Sequence, residues 1–151
     1  MRYKIIDLNG LGVEDDVVEV FDSEMSAIIY IRGVARALNM AGYKIVYMPR
    51  PLGIDYNMPQ FLKAVKYQNP DDENSDKETI LFALMSVEKD ELLVVEKTIC
   101  ESWDNNDVEY EISRKNNIKE FQNEYSKIEK ENFDIQIYKN IENQNRLFVI
   151  K

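Results

Sequence analysis

Residues 22–42, DSEMSAIIYIRGVARALNMAG, form the longest run in this sequence that reads clearly as one element. Ser23, or Asp22, can cap a helix, because a short side-chain oxygen accepts an orphan N–H of the first turn. Glu24 puts negative charge where the helix dipole favours it, and Gly42 can take the left-handed conformation that ends a helix. Ala27, Ile28, Ile31, Val34, Ala35, Leu38 and Ala41 make one broad apolar stripe. The opposite side is less polar than expected, since Met25, Ile29, Gly33, Arg36 and Met40 run along it, with Arg32 one turn before Arg36. A loop or the C-terminal segment is the ordinary cover for such a face. The sharper reading is a homodimer or partner surface on Met25, Ile29, Arg32, Arg36 and Met40, with the methionines as adaptable contacts.

Apolar runs flank this helix, Val17–Phe21 before it and Tyr43–Met48 after it, and both read as strands. Tyr3–Leu8 is a further strand, and Asn9-Gly10 between it and Val17 is hairpin chemistry. Asn57 and Pro59 look like the cap and first turn of a short helix through Tyr67, with Phe61, Leu62 and Val65 inward. The polar stretch 69–76 is a loop and the best candidate for a mobile segment. Thr79–Val87 and Leu92–Ile99 read as a hairpin turning at residues 88–91, although a helix also fits the second run. Asp107–Ile112 alternates as a half-exposed strand. Asn117–Glu131 reads as a second clear helix through Ile118, Phe121, Tyr125 and Ile128. Phe133–Tyr138 and Arg146–Ile150 close the chain as strands. The sum is an α+β fold: one domain over 1–151, a mainly antiparallel sheet with two to three packed helices.

The chain has no histidine. That removes Ser-His-Asp and Cys-His catalysis and the usual zinc sites. Cys100 is the only cysteine, so no intrachain disulfide forms and a reducing, cytoplasmic compartment is expected. The sequence opening breaks too early for a signal peptide, and no apolar run is long enough for a membrane span. There is no P-loop, and Gly10-Leu11-Gly12 is a turn rather than a phosphate cradle. Asp71, Asp72, Glu73 and Asp76 offer hard oxygen ligands, but the EF-hand order fails and a solvated loop is the default. No metal, no cofactor and no enzymatic activity are expected. A small-ligand or divalent-cation site on the loops 49–57 and 69–76 is the alternative.

Charge points elsewhere. The net charge is −9, with the excess in residues 51–151, which hold 13 Lys/Arg against 21 Asp/Glu. Such a field disfavours direct nucleic-acid binding and anionic membranes and favours a basic protein partner. Residues 101–111 carry Glu101, Asp104, Asp107, Glu109 and Glu111 with no Lys or Arg. On a strand, Asp107, Glu109 and Glu111 share a face at roughly 6.6–6.8 Å spacing, near the phosphate repeat of a nucleic-acid strand. Trp103 and Tyr110 would add aromatic anchors. In size, charge and lack of histidine the chain is similar to phage and mobile-element inhibitors of host nucleases, such as anti-restriction and anti-CRISPR proteins. That likeness implies an inhibitor of a basic nucleic-acid enzyme and assigns no residue a role.

Overall fold

A computed structural model of the chain describes residues 1–14, 16–50, 58–101, 106–128 and 135–151. The contact pattern divides the chain into two compact units, Met1–Ser86 and Val87–Lys151. Each is built on a five-stranded antiparallel sheet, and one α-helix occurs among the described residues. The fold is therefore mostly β, which corrects the expected α+β sheet with two to three helices.

In the first unit the order is β2-β1-β5-β4-β3, from β1 (Arg2–Asp7), β2 (Val18–Phe21), β3 (Lys44–Tyr47), β4 (Gln60–Tyr67) and β5 (Lys77–Val87). The helix α1 (Glu24–Met40) starts where Ser23 Oγ accepts from the Ser26 N–H at 3.1 Å. Its apolar stripe packs Ala27, Ile28, Ile31 and Ala35 against Ile5, Leu62 and Leu84. Gly42, with φ +96°, turns the chain out of it, a conformation that costs other residues a Cβ clash. The β1–β2 pairing is antiparallel as the hairpin reading expects. Asn9 does more than turn: its Nδ2 donates to Thr79 O at 3.1 Å and its Oδ1 accepts from the Leu81 N–H at 2.7 Å. One side-chain amide thus extends the pairing of β1 with β5 past the strand end.

Residues 60–67, expected as a short helix, are β4. They pair with β5 over eight positions, Gln60↔Leu84 to Tyr67↔Lys77. Phe61, Leu62 and Val65 fit either period, and the waiting partner strand decides between them. The 68–76 loop is tied to itself, with Asn69 Oδ1 accepting from Asp71 N–H and Asp72 Oδ1 from Asn74 N–H.

In the second unit the order is β7-β6-β10-β9-β8, from β6 (Leu92–Glu101), β7 (Asn106–Lys115), β8 (Tyr125–Lys127), β9 (Ile135–Asn140) and β10 (Arg146–Ile150). The strands expected at 79–87 and 92–99 are present, two residues longer at one end each, but they do not form a hairpin. The turn at 88–91 passes the chain from one sheet to the other. The expected helix 117–131 is also corrected over 117–128, its last three positions lying outside the described residues. Lys119–Phe121 is one 3-10 turn, and Tyr125–Lys127 is an edge strand on β9. Ile118, Phe121 and Tyr125 still point inward, against Val94, Leu147 and Val149. Their spacing marked which residues are buried while misidentifying the backbone that buries them.

Candidate functional site

The acidic strand is β7, an edge strand paired along its length with β6. The register sets Asp107 opposite Cys100, Glu109 opposite Thr98 and Glu111 opposite Glu96. Glu109 and Glu111 are exposed, two residues apart on one face. Glu101 ends β6. Trp103 and Asp104 lie outside the described residues.

The other side of β6 makes this face more acidic than the strand alone. Glu96 has its carboxyl pKa raised, first by burial and then by Glu111, Glu124 and Glu120, while Lys115 works the other way. Lys115 is engaged with Glu120, Nζ to Oε1 at 2.8 Å. Two like charges directly opposite on a sheet repel, so the proton on Glu96 is held more tightly than on a free carboxylate. Beside them Glu96, Thr98, Glu124, Tyr125, Asn140 and Asn145 line a polar cleft of about 440 Å³. Tyr125 has its phenol pKa raised by burial, against a hydrogen bond with Asn140, with Glu96 and Glu124 adding to the rise.

Strand alternation separates Tyr110 from the carboxylates. It lies half-buried on the opposite face of the sheet, in register with Lys97. Among the described residues, Tyr125 is an aromatic that does lie beside Glu96 and Glu124. Glu96, Glu120, Glu124 and Tyr125 belong to this surface and escaped the sequence reading. A helix over 117–131 sends residues 120 and 124 to a different surface, and only the β6–β7 register brings residue 96 to residue 111.

On α1 the second candidate face is open. Met25 is 67% exposed, Ile29 61% and Met40 82%, and Arg32 and Arg36 are exposed beside them. Among the described residues neither a loop nor the C-terminal segment covers these side chains. A Cβ on Gly33 would meet nothing within 4 Å.

Asp71, Asp72, Glu73 and Asp76 do not converge on a cation site. Among the described residues no group of three or more Cys, Asp or Glu could hold a metal ion. Most of the other loop considered for a ligand, 49–57, lies outside the described residues. Cys100 is a half-buried free thiol. No helix among the described residues is long and apolar enough to cross a membrane. Comparison of the chain with protein-family models, with curated proteins and with solved structures finds no match.

Proposed function

We propose that this chain is a non-enzymatic interaction module whose acidic β6–β7 face occupies a basic groove of a nucleic-acid-binding enzyme. The role fits a phage or mobile-element inhibitor of a host nuclease. The observation that carries the reading is the convergence of Glu96, Glu109, Glu111, Glu120 and Glu124 on one side of the second sheet, where Lys115, the cation that acts on Glu96, is already engaged by Glu120. Carboxylates held against mutual repulsion are relieved by a cationic surface. Charge of one sign also steers association and makes it salt-dependent. Tyr125 and the neighbouring asparagines supply the contacts that slow dissociation.

The test is binding to purified basic DNA- and RNA-processing enzymes at low and high salt, with DNA as competitor. Binding that falls with salt, is competed by DNA and is lost when Asp107, Glu109 and Glu111 become the neutral amides supports the reading. Unchanged affinity in that triple variant sinks it.

The open face of α1 supports a second reading, self-association through Met25, Ile29 and Met40. Here the measurement is solution mass at high protein concentration. A dimer that Ile29→Glu converts to a monomer supports it, and a monomeric parent protein rejects it.

A further inference from the structure

One rung of the second sheet is built from hydrogen-bond donors. Across the five strands it reads Tyr110, Lys97, Arg146, Lys139, Ser126, each in register with the next. Cross-strand neighbours lie about 4.8 Å apart, so Lys97, Arg146 and Lys139 fall within about 10 Å on the same face. Like charges placed side by side in this way are destabilising. The chain carries 28 Asp/Glu against 19 Lys/Arg, yet the adjoining rung on that face is Ile112, Val95, Phe148 and Ile137. Val95 and Phe148 are buried, so on this side the cations border apolar side chains rather than carboxylates.

Arg146 sharpens the point. Its Nη1 is buried and makes no hydrogen bond. A guanidinium N–H is an obligatory donor, and leaving a charged donor buried without an acceptor is unfavourable. Two lysines flank it, one half-buried and one exposed, and no ion pair engages them among the described residues. Planar Arg forks and Lys ammonium groups are the residues that hold tetrahedral oxyanions.

We propose that Lys97, Arg146 and Lys139 form a binding site for a phosphate group, with the Tyr110 and Ser126 positions closing the two ends of the rung. The site is on the face opposite Glu109 and Glu111 and is independent of the protein-binding reading above. The net charge of −9 repels a long polyanion, so the ligand is a small phosphate, free or on a mononucleotide, rather than a nucleic-acid strand.

The full-length protein is titrated with inorganic phosphate, pyrophosphate, a mononucleotide and a short single-stranded oligonucleotide. Ionic strength is held constant with chloride, and binding is followed by calorimetry and thermal midpoint. Saturable binding of one or more of the small phosphates is expected. It weakens about tenfold in Lys97→Gln and in Lys139→Gln and is reduced in Arg146→Lys, which keeps the charge and loses the fork. Lys139 is exposed, so its variant reads out the site even if the Arg146 variant folds poorly. No saturable response, or an equal response in the parent and both lysine variants, overturns the site. Binding of the oligonucleotide alone overturns the assignment to a small phosphate.

Discussion

Glu96 and Glu111 stand directly opposite one another across the β6–β7 pair, two carboxylates where a cross-strand pair ordinarily matches opposite charges or apolar groups. β7 is an edge strand, and charge on an edge also discourages pairing with a second chain. That role accounts for Glu109 and Glu111 on the rim. It does not account for Glu96 on the inner strand, which is half-buried and is the feature that asks for a cationic partner.

Folding raises the Glu96 pKa above its ordinary 4.5, so in the window above 4.5 the folded state binds more protons than the unfolded chain. Stability then falls as pH rises through that window. The penalty grows as pH rises above the ordinary value and is absent below it. Glu96→Gln should therefore stabilise the protein at pH 7 by roughly 0.2–1 kcal/mol, solvent screening keeping it small. Urea unfolding at neutral and at acid pH measures this, and a gain that persists under acid conditions contradicts it.

Two glycines should respond to alanine with opposite signs. Gly33 lies inside α1 with open space around a Cβ, so Gly33→Ala should stabilise by about 0.5–1 kcal/mol. Gly42 holds φ +96°, and Gly42→Ala should destabilise by about 1 kcal/mol. Thermal midpoints moving in the same direction would refute the assignment.

Ser23 Oγ accepts from the Ser26 N–H and donates to Ser26 Oγ at 2.8 Å. Ser23→Ala should cost about 1 kcal/mol, and Ser23→Asp should restore most of it. Denaturant midpoints compare the three proteins.

Asn9 gives a prediction about the first sheet. Its amide both donates to Thr79 O and accepts from Leu81 N–H. Asn9→Asp keeps the size and the acceptor but turns the donor into a second oxygen facing a carbonyl, and should cost about 1–2 kcal/mol. Amide exchange at Leu81 should rise with it; a protected Leu81 amide would show that the side chain is dispensable there.

Several features are set by short-range chemistry and are legible residue by residue. Ser23, Glu24 and Gly42 bound α1 through capping, dipole and backbone freedom, each needing only its neighbours in the chain. Arg146–Ile150 is a strand with the same ends in sequence and in structure. The absence of histidine and the acidic excess are facts of composition. Residues 60–67 and 117–128 are different. Their apolar spacing marks what is buried in either conformation, and the choice falls to hydrogen-bonding partners distant in the chain: β5 for Gln60–Tyr67, and β9 for Tyr125–Lys127.

The candidate surfaces divide in the same way. The alternation of Glu109 and Glu111 is written in the local sequence. The addition of Glu96, the separation of Tyr110 from the carboxylates, and the alignment of Lys97, Arg146 and Lys139 exist only through strand register. Register is a long-range choice, fixed by which buried faces must meet, and a shift by one residue would move every one of these side chains to the other side of the sheet.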